Sequence, residues 1–168
     1  MDKMEVIDNF LPEYHFKQIS NVILSKDFSW HFHDGIVGPN DGQCQFTHVI
    51  FDWQYGGVNS EYYSLFDVAQ QKLGVKRLDR IKLNLNPKTI FHRKGGYHTD
   101  RPNLNQTPHH KTAVFYINTN NGWTQFKKGG KVKSVANRIV ICDNNLEHTG
   151  VTCTNEQRRV IVNFNYDI

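Results

Sequence analysis

Tyr97-His98-Thr99-Asp100 sets an imidazole and a carboxylate two residues apart. On an extended segment residues i and i+2 face the same side, so both side chains can reach one point. Together they form two legs of a facial metal site. A third ligand is available in Leu146-Glu147-His148-Thr149-Gly150, near the end of a later strand region. Two imidazoles and one carboxylate leave three coordination positions open, an arrangement suited to non-haem Fe(II) and oxygen chemistry. The His-x-Asp pair alone arises easily by chance. It gains force from His148 and from a basic residue on the last strand. Along Arg158–Tyr166, alternation puts Arg159, Ile161, Asn163 and Asn165 on one face and Val160, Val162 and Phe164 on the other. With the apolar face packed on helices, Arg159 points inward, where a guanidinium can clamp a carboxylate bidentately. Arg158 is the alternative anchor, and parity reads it as a solvated or rim charge.

These residues need elements to hold them. Met4–Phe10 reads as a short strand, and a helix starts at Leu11-Pro12-Glu13, with Pro12 tolerated in its first turn and Phe16, Ile19, Val22 and Ile23 on one face. Ser25–Asn59 is turn-rich, with a strand over Phe46–Trp53. A second helix is expected from a Ser60 cap to a stop at Gly74, burying Tyr62, Phe66, Ala69 and Leu73. Strands follow: Arg80–Asn86, His110–Asn118, Gly122–Lys127, Lys131–Val135, Arg138–Cys142 and Arg158–Tyr166. Helices followed by many short strands predict a mainly β, α+β protein built on an antiparallel sandwich or barrel, whose mouth can hold a ligand.

The chain has 168 residues, 20 basic and 16 acidic, a formal charge of +4 and nine histidines. That length predicts one domain over residues 1–168. No run of the roughly 18–20 apolar residues needed to span a bilayer occurs. Three scattered cysteines without a CxxC pair argue against a disulfide framework. The acidic start without an apolar signal core predicts a cytoplasmic protein. The mild positive charge fits an anionic small molecule as readily as nucleic acid.

The sequence resembles the Fe(II)/2-oxoglutarate-dependent dioxygenase superfamily in its compact, prolyl-4-hydroxylase-like branch, and its short loops resemble phage-encoded oxygenases expressed in a host cytoplasm. The resemblance rests on Glu5–Pro12, the His-x-Asp motif of Tyr97–Asp100, the strand Val114–Asn118, Asn121–Phe126, and Ala136–Asp143 leading to His148 and Arg159. It implies a double-stranded β-helix of jelly-roll or cupin-like form with two supporting N-terminal helices. It further implies iron held by His98, Asp100 and His148, and 2-oxoglutarate anchored by Arg159 with the Tyr116 hydroxyl as second donor. Asn84 or Asn86 is a further polar cosubstrate contact. Trp123-Thr124 stands where the branch usually has a glycine–aliphatic pair. The implied reaction consumes O₂, with ascorbate as an accessory reductant, decarboxylates 2-oxoglutarate to succinate and CO₂, and hydroxylates a prolyl or similar C–H in a peptide or small molecule. An aspartate rather than a small residue at position 100 favours hydroxylation over halogenation.

Other readings stand beside this one. A non-catalytic cupin-like barrel could bind metal or sugar, but would have no need of an inward arginine. Arg93, Lys94 and Arg101, with Tyr97 and Trp123 at the mouth, would suit a nucleic-acid base, a reading ranked lower. His15, His31, His33, His48 and His92 read as surface or satisfied-core histidines, and His109-His110 as rim or turn residues. Lys127–Lys131 reads as a solvated hairpin turn, and Cys142 and Cys153 as small buried hydrophobes.

Overall fold

A computed structural model describes residues 4–36, 38, 41–104, 107 and 109–168. In chain order the elements are β1 (Met4–Ile7), α1 (Glu13–Ile23), β2 (His31–Asp34), β3 (Cys44–Asp52), β4 (Gly57–Val58), α2 (Asp67–Leu73), β5 (Arg77–Pro87), β6 (His110–Tyr116), β7 (Trp123–Phe126), β8 (Lys131–Lys133), β9 (Arg138–Asp143), β10 (His148–Val151) and β11 (Arg158–Asp167). The large sheet runs β1-β9-β6-β11-β5-β3-β2, with β4 paired to β3, and every pairing is antiparallel. The small sheet runs β10-β7-β8.

Alternation along the large sheet divides its residues between two cores. Ala113 and Phe115 of β6, Ile139 of β9, and Val160, Val162 and Phe164 of β11 join Phe10, Ile19, Ile23, Phe66 and Ala69 beneath the helices. Their neighbours of opposite parity, Val114, Tyr116, Val140, Cys142 and Ile161, pack with Phe126 and Val132 of the small sheet. The helices therefore cover one face and the small sheet the other, as in a double-stranded β-helix with two supporting helices. Among the described residues, no helix is long and apolar enough to cross a membrane.

Several expected elements take a different form. The first strand stops at Ile7, because Asn9 turns the chain with φ +50°. Pro12 is the residue before α1 rather than within it. There Asn137 fixes the chain, accepting from the Leu11 N–H (2.9 Å) and donating to its carbonyl (2.8 Å). The second helix is α-helical only over Asp67–Leu73. Tyr63–Phe66 winds instead as a tighter 3₁₀ turn, and Tyr62, Tyr63, Leu65 and Phe66 all pack on the core. Gly74 ends α2 in the left-handed region, φ +67°. β2 lies in the stretch read as turns: it is an edge strand exposed at every residue, so it carries no alternation to read.

Three side chains also depart from expectation. His110 is not a rim residue: it opens β6, is buried, and its Nδ1 lies 2.7 Å from Asp167 Oδ1. Arg158 is not free at the rim, since its guanidinium donates to the Leu24 carbonyl (2.6 Å) at the end of α1. Arg101 is bound by Asp79 (2.6 Å) and Asp52 (2.8 Å) and is not a free cation at the mouth. His48 is a satisfied core histidine, bonded to the Ser29 carbonyl (2.7 Å) and Ser60 Oγ (2.8 Å).

Candidate functional site

The segment before β6 adds itself to the small sheet. His98 and His148 form an antiparallel bridge, each N–H donating to the other's carbonyl at 3.0 Å, and Lys94 bridges Val151 further along. A directly opposed pair projects both side chains to one face, and the two rings stand 5.0 Å apart. Asp100, two residues beyond His98, brings Oδ1 to 3.7 Å from His98 Nε2 and 3.8 Å from His148 Nε2. The ligand atoms of His98, Asp100 and His148 all lie within 4.8 Å of one another.

Each ring is oriented from behind. His98 Nδ1 lies 3.2 Å from the Gly96 carbonyl and His148 Nδ1 3.1 Å from the Leu146 carbonyl. A carbonyl only accepts, so it holds the proton on Nδ1 and leaves the Nε2 lone pair facing the shared point. Burial, partly offset by Asp100, lowers the His98 imidazole from its ordinary range, which keeps that lone pair available. Burial alone would raise the Asp100 carboxyl. Arg80, His148, His98 and the Asn165 amide outweigh it and hold the carboxyl at about 2. Asp100 Oδ2 accepts from Asn165 Nδ2 (3.1 Å) with Arg80 3.6 Å away, so Oδ1 is the oxygen left to the cluster.

The cluster opens on a cavity of about 270 Å³ that Arg159 also lines. On β11 the parity is as expected: Arg159, Ile161 and Asn163 line the cavity, while Val160, Val162 and Phe164 lie under the helices. Arg159 is 1% exposed. Its Nε donates to Ser134 Oγ (2.9 Å) and one Nη to Thr124 Oγ1 (3.0 Å). The other, Nη1, is buried and has no partner among the described residues. Close approach requires glycine at position 122, where a Cβ would stand 2.8 Å from Arg159 Cδ; a Cβ at Gly150 would sit in ordinary contact, 3.4 Å from Nη1.

Asn84 and Asn86 of β5 line the same cavity, with Arg80 and Lys82 on the same face of that strand. Tyr116 lies behind the wall instead. Its hydroxyl donates to Thr124 Oγ1 (2.8 Å), and Thr124 is the hydroxyl that reaches the cavity. Sequence reasoning put Asn165 on the inward face of the last strand but gave it no role, and it missed Thr124, Ser134, Arg80 and Lys82 as site residues. The β5 alternation that selects Asn84 and Asn86 also selects Arg80 and Lys82. Thr124 and Ser134 carry no such signal, because β7 has four residues and β8 three.

No protein-family model and no curated protein sequence matches the chain. Solved structures do. A prolyl hydroxylase from Trichoplax adhaerens, in complex with a hypoxia-inducible-factor oxygen-degradation-domain peptide, superposes with a TM-score of 0.66 at 15% identity, over 98% of this chain and 83% of that one. A Pseudomonas putida prolyl-4-hydroxylase gives 0.63 at 14% identity, over 100% and 94%. The non-haem α-ketoglutarate-dependent epimerase SnoN of nogalamycin biosynthesis gives 0.64 at 13%, over 98% and 77%. The fold is that of the 2-oxoglutarate–Fe(II) oxygenases, and its neighbours include prolyl hydroxylases.

Proposed function

We propose that this protein is an Fe(II)- and 2-oxoglutarate-dependent oxygenase that hydroxylates an aliphatic C–H, of a prolyl or similar residue in a peptide or of a small molecule. The observation that carries the reading is Arg159 Nη1, a buried donor without a partner among the described residues, on the same cavity as the His98–Asp100–His148 cluster. A buried cation is costly unless an anion meets it. A dicarboxylate that chelates a metal through one end and reaches Arg159 with the other fits both features. A barrel built only to hold a metal or a sugar has no use for that guanidinium.

The donor set suits the cofactor: two neutral Nε2 atoms and one carboxylate oxygen form one side of a coordination sphere and leave the other side open. In this reading His98, Asp100 and His148 hold Fe(II). When bound, iron with 2-oxoglutarate and O₂ supplies an oxidation that splits the 2-oxo acid to succinate and CO₂ and places one oxygen atom in the substrate C–H. The protein's own residues do the positioning. The Gly96 and Leu146 carbonyls fix the imidazole tautomers, and Asn165 and Arg80 keep Asp100 ionised and turn Oδ1 to the site. Arg159, steadied by Ser134 and Thr124, holds the distal carboxylate, with Asn84 and Asn86 as amide contacts on the neighbouring strand β5. The presence of prolyl hydroxylases among the structural neighbours supports a prolyl-type C–H. Engagement of Arg101 by Asp52 and Asp79 removes one cation from the nucleic-acid reading.

Anaerobic addition of Fe(II) and 2-oxoglutarate tests the reading. A visible metal-to-ligand charge-transfer band is expected, absent in His98→Ala and weakened in Arg159→Ala. Iron binding without any 2-oxoglutarate-dependent band would instead favour the metal-binding barrel. Succinate release over proline-containing peptides, free amino acids and oligonucleotides then separates the substrate classes.

A further inference from the structure

Among the described residues four charged side chains line the cavity: Arg80, Lys82 and Arg159 are cationic and Asp100 is anionic. Two of the cations are accounted for. Arg80 lies beside Asp100 and donates to Asn165 Oδ1 (3.0 Å), and Arg159 is the anchor assigned to 2-oxoglutarate. The nearby Asp52 and Asp79 are both engaged by Arg101. Lys82 is the remainder: half-buried on the inward face of β5, it has no carboxylate at ion-pair distance among the described residues.

Its position separates it from the cosubstrate anchor. Asn86 is the cross-strand neighbour of Arg159, and Lys82 that of Asn163. Lys82 and Asn86 are four positions apart on β5, roughly 13 Å at the rise of a β-strand. The charges that act on Lys82 are Arg80, Asp100, Arg101 and Asp52, all at the metal-cluster end, and burial with Arg80 lowers its ammonium from the usual range. Beside it, Asn163 Oδ1 is buried and also lacks a partner among the described residues. An unpaired cation and an unpaired acceptor thus stand next to each other near the cluster. A divalent metal and a dianionic 2-oxo acid would neutralise one another and leave this excess positive charge in place.

We infer that Lys82 and Asn163 form the substrate's oxyanion anchor: the molecule oxidised carries a carboxylate or phosphate, with an N–H or O–H donor beside it, close to the reacting carbon. The inference rests on the oxygenase reading and narrows its substrate class to anionic molecules. Lys82 supplies a charge-assisted hydrogen bond and Asn163 Oδ1 accepts from the adjacent donor, so the substrate is held at two points while its C–H faces the cluster.

The test uses protein loaded with Mn(II), a redox-inert stand-in that broadens nearby proton signals, together with 2-oxoglutarate. The probes are N-acetyl-L-valinate and its neutral carboxamide, which share an N–H donor and differ in charge. The acid's signals are expected to broaden and the carboxamide's to stay sharp. Lys82→Met and Lys82→Gln should weaken binding of the acid about tenfold or more, the worth of one charge-assisted hydrogen bond, and Lys82→Arg should restore most of it. Inorganic phosphate as competitor tells the anions apart: displacement of the acid means an anchor for oxyanions in general, and no displacement means one for carboxylates. Equal broadening by acid and carboxamide, no binding of the acid, or undiminished binding in both neutral variants overturns the inference. Failure of the wild-type protein to take up Mn(II) and 2-oxoglutarate overturns the oxygenase reading instead. Loss of 2-oxoglutarate uptake on neutralising Lys82 would make Lys82 a cosubstrate ligand and also overturn the anchor.

Discussion

A guanidinium held by Ser134 and Thr124 at two of its nitrogens and without a partner among the described residues at the third is unfavourable to bury, and Arg159 is buried. Such a group contributes little to the ligand-free protein, because the desolvation of the charge is only partly offset by neutral hydroxyls. Its return comes when an anion binds. Arg159→Met, which keeps the length and removes the charge, is therefore expected to melt no lower than the wild type without ligands. Its affinity for 2-oxoglutarate should fall about 30- to 100-fold, corresponding to about 2–3 kcal/mol for a lost charge-assisted pair. Melting curves of the ligand-free proteins and 2-oxoglutarate titrations of the Mn(II) forms check both halves. A variant that melts much lower yet keeps its affinity would make Arg159 a structural residue. The arginine was legible in the sequence because β11 is ten residues long, enough for alternation to separate the faces. The pairing of Asp100 with Asn165 and Arg80 was not, since it joins three segments far apart in the chain and has no local pattern.

At the scale of elements, the site depends on how closely the small sheet approaches β11. Gly122 leads into β7, and a Cβ there would stand 2.7 Å from the Val151 carbonyl, 2.8 Å from Asn120 Oδ1 and 2.8 Å from Arg159 Cδ. The carbonyl belongs to β10, paired to β7 through Val151 and Trp123, so it cannot yield without disturbing that pairing. Gly122→Ala is expected to cost about 1–3 kcal/mol, the usual range for overpacking, and to weaken 2-oxoglutarate binding by displacing Arg159. Denaturant unfolding measures the first effect and titration of the Mn(II) form the second. Unchanged values in both would show that the sheets can separate without consequence. Long strands and α1 declared themselves through periodicity, because one face of each is buried. β2 and the 3₁₀ turn at Tyr63–Phe66 did not: the first is exposed throughout, and the second has an apolar spacing that an α-helix would share.

For the whole molecule, the two sheets close around charges that do not balance within the protein. The metal cluster, Arg159 and Lys82 face one cavity, with Val114 and Ile161 of the second core also in its wall and the core under the helices behind β11. Stability should then be linked to ligands in an ordered way, since whatever binds the folded state alone stabilises it by RT ln(1 + [L]/Kd). Mn(II) brings the charge that draws in the 2-oxo acid, and Arg159 completes the contact at the other end. Mn(II) alone is expected to raise the melting temperature, and 2-oxoglutarate to raise it further only when metal is present. At a hundredfold excess over its Kd a ligand contributes about 2.7 kcal/mol, which for a chain of this length is about 5–11 °C. EDTA should remove both increments together, because the 2-oxo acid loses its first point of attachment with the metal. In Arg159→Met the metal increment should persist while the 2-oxoglutarate increment shrinks. Thermal melts with each ligand, with both, and with both plus EDTA give the order directly. Stabilisation by 2-oxoglutarate that survives EDTA would mean that the dicarboxylate is held by Arg159 and Lys82 without a metal, and that the cavity is an anion site first.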